Sequence, residues 1–102
     1  MSPFKPLHDE GIKEEIEIKS PKMYKVLLLN DDYTSMDFVV NILMKIFHKS
    51  QQEAYEIMLR IHKDGSGLCG VYTYEIAETK VSQVINAARK NDYPLRAVME
   101  EE

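Results

Sequence analysis

The segment from Met23 to Met99 alternates between two hydrophobic periods, and this alternation restricts the possible folds more than any other feature of the sequence. Two short apolar runs, Tyr24–Leu29 and Leu68–Tyr72, have the length and composition of strands. Two stretches between these runs and one after them repeat apolar residues every three or four positions, as one face of a helix does. Leu95–Met99 alternates again and indicates a last strand. The predicted order is therefore β-α-α-β-α-β.

Capping residues indicate where the helices begin and end. Thr34 is expected to cap the first helix, with Asp37 favouring its N-terminus. Ser50 and Glu53 have the spacing of a capping box, and Gly65 is expected to end the second helix in the left-handed conformation. The expected fold class is α+β, a single domain with one three-stranded antiparallel sheet covered on one face by the three helices.

A chain of 102 residues is expected to form one domain. Residues 1–22 contain three prolines and a mostly charged stretch, so we expect a flexible N-terminal extension there. A short helix docked on the domain is the alternative for this segment. Residues 23–102 would then form the folded core domain.

Composition excludes several classes of protein. The net charge of −4 argues against a nucleic-acid binder, which needs clustered Lys and Arg. Cys69 is the single cysteine, so no disulfide can form within the chain, and a reducing compartment is expected. No signal peptide and no apolar run of membrane-spanning length is present. We therefore expect a cytoplasmic monomer without membrane contact.

Hydrogen-bond acceptors occur at two places that suit a ligand site. Asn30, Asp31 and Asp32 follow the first strand, and His62 lies near the end of the second helix. Their oxygen and nitrogen atoms would suit a protonated α-amino group, whose ordinary pKa is about 7.7–8.0. Apolar residues that would wall a hole beside these acceptors are Met36, Val39, Met58 and Ile61.

Each of these signals also has an ordinary structural explanation. Taken one at a time, a segment such as Asn30–Asp32 is usually a turn, a residue such as His62 is usually a solvated side chain at a helix end, and Met and Ile residues at helical spacing are usually core. Cys69 as a thiol nucleophile is opposed by its place inside a predicted strand. A zinc site lacks a matching ligand spacing, and phosphoryl transfer at the paired aspartates lacks a glycine-rich loop.

Taken together, the motifs resemble the ClpS adaptor family, and the match runs from Met23 to about Met99. The motifs that carry the resemblance are Tyr24–Val26, Asn30–Thr34, Met36, His62, Gly65, Gly67, Cys69–Thr73, Glu75–Lys80 and Pro94–Leu95. The resemblance implies an N-degron adaptor without enzymatic activity, cofactor or metal. Such an adaptor binds proteins whose first residue is Leu, Phe, Tyr or Trp and delivers them to the ClpAP protease, a ClpA-type AAA+ unfoldase working with ClpP.

The resemblance also assigns roles to residues of this chain. Asn30, Asp32 and His62 would hold the α-amino group of the substrate, while Asp31 and Thr34 would shape the rim or contact the first peptide unit. The hydrophobic pocket implied by the family pattern consists of Met36, Val39, Met58, Ile61 and Leu95. Within that pocket, Met36 would act as a gate that excludes the β-branched residues Ile and Val.

A separate motif is implied to bind the N-terminal domain of the unfoldase. Glu75 and Lys80 match the family's contact positions, and Glu78 and Thr79 lie in the same motif. The extension over residues 1–22 would take part in delivery, on the analogy of the family alone.

Two residues depart from the family pattern, namely Ser35 where Pro is frequent and Tyr93 where His is common. Ser35 is expected to loosen the turn before the gate, and Tyr93 is expected to matter little.

A competing interpretation of the layout is a docking module like the C-terminal domain of the ribosomal stalk protein, which has no ligand pocket. The acceptor cluster distinguishes the two.

Overall fold

A computed structural model describes residues 20–102 of the protein. Its elements are β1 (Met23–Leu29), α1 (Met36–Lys45), α2 (Gln51–Asp64), β2 (Ser66–Thr73), α3 (Tyr74–Lys90) and β3 (Arg96–Glu101). The predicted order β-α-α-β-α-β is confirmed, and the strands extend by one to two residues beyond most of their predicted ends. The expected flexible extension lies outside the described residues except for its last three positions.

The three strands form one antiparallel sheet in the order β2-β1-β3, as predicted, with β1 in the centre. Val26 and Leu28 of β1 are fully buried beneath the helices, whereas Leu27 between them is half-buried on the open face. This alternation is the period of two that a sheet covered on one face requires. A bulge interrupts the ladder between β1 and β2, but the ladder between β1 and β3 is continuous.

The start of α1 differs from the prediction. Ser35, not Thr34, is the N-cap: its hydroxyl oxygen accepts the N–H of Phe38 at 3.1 Å. The hydroxyl of Thr34 instead donates to the carboxylate of Asp31 at 2.8 Å. Because its hydroxyl is turned towards this charged acceptor, Thr34 completes the preceding turn, and the cap lies one residue further along the chain.

The ends of α2 agree with the prediction. The hydroxyl of Ser50 accepts the N–H of Glu53, and the Glu53 carboxylate accepts the N–H of Ser50, both at 3.1 Å. The bond from the N–H of Ser50 lowers the pKa of Glu53 below its usual value. Gly65 ends the helix at a φ of 93°, and its N–H donates to the Ile61 carbonyl at 2.9 Å. A left-handed glycine of this kind satisfies carbonyls at the helix end.

Two contacts position α1 against the rest of the domain. The ammonium of Lys80 in α3 donates to the carbonyl of Ile46, the residue after α1, at 2.6 Å. The Phe38 ring of α1 packs against the Tyr93 ring, with their centroids 4.7 Å apart. Tyr93 therefore supports the first turn of α1, whereas from the sequence this residue was expected to matter little. The helix is held at both ends by residues from the second half of the chain.

We expect Ser50→Ala to lower the free energy of unfolding by about 1 kcal/mol, because the first turn of α2 loses a hydrogen-bond acceptor. Ser82→Ala is the matched control, since Ser82 is exposed in the interior of α3, where alanine is favourable. Chemical denaturation measures both values. An equal loss in the two variants would contradict the role of the capping box.

Candidate functional site

A backbone hydrogen bond joins the end of β1 to the end of α2. The N–H of Asn30 donates to the carbonyl of Gly65 at 2.9 Å. Because Gly65 comes three residues after His62, this bond brings the Asn30 turn beside the last turn of α2. A Cβ atom at Gly67 would lie 2.6 Å from Cγ1 of Ile61, so glycine there allows β2 to start close against the same helix.

The Asp31 carboxylate organises the loop that follows. One oxygen accepts the N–H groups of Tyr33 and Thr34 at 2.8 and 2.7 Å, and the other accepts the Thr34 hydroxyl. Partial burial raises the pKa of Asp31, but these bonds and the charge of Arg96 outweigh it, so the pKa lies below its usual value. The loop is therefore stabilised above the ordinary aspartate pKa of about 3.9, and this contribution is lost as the pH falls through the folded-state pKa.

The loop and the two helices enclose a cavity of about 230 Å³. Its lining consists of Asn30, Asp31, Asp32, Thr34, Met36, Val39, Met58, Ile61 and His62. Val39, Met58 and Ile61 are 3–6% exposed and form an apolar floor. Met36 is 48% exposed and lies at the rim. The cavity is smaller than the roughly 300–1,000 Å³ of pockets for drug-sized ligands, so its size suits a single side chain.

Three polar side chains of the lining remain available to a ligand. Asn30, Asp32 and His62 are exposed, and none of their side chains forms a hydrogen bond or ion pair with the part of the chain that the structure describes. Asp31 differs because its carboxylate is occupied by the loop. The arrangement offers oxygen and nitrogen acceptors beside an apolar floor, which can bind a group that is cationic at one end and apolar at the other.

The structure does not bring Leu95 to this cavity. Leu95 is buried in the core and lines a separate groove between α3 and β3. The other nine residues implied for amino-group, rim and pocket contacts all line the same cavity. The sequence did not indicate a role for Arg96, which follows Leu95 and whose charge helps to lower the pKa of Asp31. Arg96 and Asp31 are far apart in the chain, and no local sequence signal connects them.

The residues implied to contact an unfoldase occupy the first half of α3. Glu75, Glu78 and Thr79 are exposed. The ammonium of Lys80 is bonded within the chain to Ile46 and lies 5.8 Å from the centroid of the Tyr72 ring. Substituting Lys80 would therefore disturb the end of α1 as well as the surface of α3.

Three features of residues 20–102 bear on the alternatives that the sequence left open. Cys69 is 1% exposed, and burial raises the pKa of its thiol to about 12, which opposes formation of a nucleophilic thiolate. Within the same residues, His, Cys, Asp and Glu side chains form no group of three that would hold a metal ion. None of the described helices has the length and apolar character needed to cross a bilayer.

Comparison with known proteins identifies relatives along most of the chain. Residues 19–98 match the family model for the ATP-dependent Clp protease adaptor protein ClpS. The ClpS adapter protein of Hyphomonas neptunium is 55% identical over 94 residues, covering 92% of this chain and 80% of that protein. The Wolinella succinogenes adapter is 56% identical over 90 residues, covering 88% of each chain.

A solved structure agrees with these sequence relatives. Agrobacterium tumefaciens ClpS2 bound to L-phenylalaninamide matches the fold with a TM-score of 0.79 at 37% identity, over 81% of this chain and 100% of that one. The shared sequence, the shared fold and the extent of the match lead to one conclusion. This chain belongs to the ClpS family of ATP-dependent Clp protease adaptor proteins.

Proposed function

We propose that this protein binds the free N-terminal Leu, Phe, Tyr or Trp of substrate proteins and delivers them to a ClpA-type AAA+ unfoldase working with ClpP. The observation that carries the proposal is that three acceptors without a partner in residues 20–102 lie beside an apolar floor in one small cavity. In this role the protein is an adaptor and catalyses no reaction. Its single buried thiol, Cys69, fits the reducing conditions of the cytoplasm.

The amino-group contacts follow from the chemistry of the three acceptors. A protonated α-amino group has three N–H donors, and the Asp32 carboxylate, the Asn30 amide oxygen and a neutral His62 nitrogen each accept one of them. The carboxylate also supplies the opposite charge, which strengthens its bond. An acetylated or internal residue lacks the ammonium and would leave these acceptors without partners.

The energetics favour reversible binding. Burying one large apolar side chain contributes about 1.5–3 kcal/mol, and each charge-assisted hydrogen bond contributes a further ~1.5–3 kcal/mol. Association and ordering oppose this by at least ~4 kcal/mol. With three such bonds the balance is at most about 8 kcal/mol, which corresponds to a dissociation constant of about micromolar or weaker and suits an adaptor that must release its substrate.

The solved relative supports this choice of ligand. L-phenylalaninamide, bound in the structure of Agrobacterium tumefaciens ClpS2, carries a free α-amino group, a benzyl side chain and an amide where the next residue of a protein would begin. It therefore has the same groups as a protein whose first residue is Phe. A docking module of the ribosomal stalk type would have no use for the acceptors or the cavity.

For the unfoldase we propose the exposed surface at the start of α3. Glu75, Glu78, Thr79 and Lys80 would contact the unfoldase N-terminal domain. Support comes from two large apolar side chains in the same turns, Tyr74 and Ile76, which are 51% and 50% exposed. Exposed apolar side chains grouped with charged ones are typical of protein-binding surfaces. In this arrangement residues 23–102 act as the folded adaptor core, and residues 1–22 take part in delivery.

A peptide panel that varies only the first residue and its acetylation tests the proposal directly. Fluorescence anisotropy is expected to show binding of peptides beginning with Leu, Phe, Tyr or Trp, and loss of binding when the Leu-first peptide is acetylated. Equal affinity for the free and acetylated peptides would contradict recognition of the α-amino group.

The same measurement applies to variants of the acceptors. Asp32→Ala and His62→Ala are each expected to weaken binding of the Leu-first peptide at least about tenfold, the size of one charged hydrogen bond. Asp64→Ala and His48→Ala remove the same side chains at exposed positions outside the cavity and serve as controls. Near-normal affinity in both site variants would contradict the proposal that Asp32 and His62 bind the α-amino group.

Met36→Ala is expected to admit peptides beginning with Ile or Val. Met36 lies at the rim, and a β-branched residue is widest at its Cβ atom, where it would meet this side chain first. Met44→Ala truncates another exposed methionine of the same helix outside the cavity and is the control. If the Met36 variant still rejects Ile-first and Val-first peptides, Met36 is not the gate.

Asp31→Ala and Asp31→Asn separate two roles of this carboxylate. Asparagine keeps an oxygen that accepts the N–H groups of Tyr33 and Thr34, whereas alanine does not. We expect Asp31→Ala to weaken binding several-fold and to speed amide exchange at Tyr33 and Thr34, and Asp31→Asn to retain most of both properties. An equal loss of affinity in the two variants would indicate direct contact between the carboxylate and the ligand.

A further inference from the structure

The outer edge of β3 is a regular edge of the sheet. β3 is the last strand in the order β2-β1-β3, so within residues 20–102 only one of its edges is paired. Its register with β1 runs without interruption from Tyr24–Glu101 to Leu29–Arg96. The opposite edge strand, β2, has a bulge, which is a common obstacle to further pairing. The edge of β3 is therefore the better template for another strand.

The backbone groups that point outward from this edge can be assigned. The N–H of Glu102 donates to the carbonyl of Met23 at 2.9 Å, so Glu102 points its backbone groups towards β1. In an antiparallel ladder these directions alternate from one residue to the next. Val98 therefore also points towards β1, whereas the N–H and C=O groups of Ala97 and Met99 point to the open edge.

The side chains of β3 carry charges of opposite sign at its two ends. Arg96, Val98 and Glu100 share the open face, because Ala97 between them is buried against the helices. The order along that face is positive, apolar, negative. Neither Arg96 nor Glu100 forms an ion pair within the described residues, whereas Glu101 on the other face pairs with Lys22 at 3.4 Å.

We propose that two copies of this protein pair through the open edges of their β3 strands, antiparallel and about a two-fold axis at Val98. Arg96 then lies opposite the partner's Glu100, and Val98 opposite the partner's Val98, all on the open face. Ala97 and the partner's Met99 exchange backbone hydrogen bonds through their outward groups. A two-fold contact of this kind is self-complementary, so both Arg–Glu pairs form together.

The side chains select this register over its neighbours. A shift by one residue between the strands would set inward-pointing Val98 opposite outward-pointing Met99, which breaks the ladder. An axis at Met99 instead would place the partner's Glu100 opposite Val98. In the proposed register the partner's Met99 lies over Ala97, beside a groove of about 410 Å³ that includes Ile85.

The contact is one strand wide and joins the two sheets into a single continuous sheet. An interface of this size is small compared with standard protein–protein interfaces, so the dimer is weak and depends on concentration. The protein is then a monomer in dilute solution and forms a dimer at high concentration, whereas a monomer under all conditions was expected from the sequence. None of the residues that line the cavity lies in β3, so the pairing does not cover the cavity.

Sedimentation equilibrium of the full chain, up to about 1 mM, tests the proposal through charge reversal. Arg96→Glu and Glu100→Arg are each expected to weaken self-association at least tenfold, because like charges then face each other. The double variant restores both pairs with their signs exchanged. An equimolar mixture of the two single variants is expected to form heterodimers, since every facing pair is then again of opposite sign.

Arg60→Glu and Glu56→Arg make the same charge changes at exposed positions of α2 and control for net charge. Circular dichroism melts establish that each variant remains folded. A wild-type protein that stays monomeric at 1 mM would overturn the proposal. Self-association that Arg96→Glu leaves unchanged, or a mixture of single variants that stays monomeric, would overturn pairing through β3 in this register.

Discussion

The hydrogen bond from the N–H of Asn30 to the carbonyl of Gly65 is the constraint on which the polar part of the site depends. Gly65 adopts a φ of 93°, which a residue with a Cβ atom rarely tolerates. This conformation ends α2 and lets the Gly65 carbonyl accept the N–H of Asn30. The end of β1 is thereby fixed against the last turn of α2. As a result, Asn30 and His62, which lie far apart in the sequence, line the same cavity.

Two neighbouring carboxylates have different surroundings because of the turn that follows. Asp31 accepts hydrogen bonds from Tyr33 and Thr34 and stabilises the loop, so its charged form is stabilised by local donors. Asp32 is exposed and has no hydrogen-bond partner within residues 20–102. Successive residues in an irregular turn point in different directions, so one carboxylate shapes the loop while the next remains available for binding. The same residue type at two consecutive positions thus has two different environments.

Local patterns in the sequence were sufficient for the order of elements and for α2, because Ser50, Glu53 and Gly65 act only on residues a few positions away. They were not sufficient to choose between Thr34 and Ser35 as the cap of α1, since both hydroxyls suit that role. The choice depends on Asp31, which draws Thr34 into the turn. Leu95 lies outside the cavity for a different reason: tertiary packing, which local patterns do not encode, buries it in the core beside α3.

The cavity shares most of its apolar surface with the core, and this links affinity to stability. Val39, Met58 and Ile61 are 3–6% exposed, so truncating any of them to enlarge the cavity removes core packing. Large-to-small substitutions at such positions typically cost about 2–5 kcal/mol, a large part of the stability of a small domain. Met36 is 48% exposed and lies outside the core, so truncating it does not cause this loss of stability. A substitution at Met36 can therefore change the rim of the cavity without loss of the fold, whereas a substitution in the floor also weakens the core.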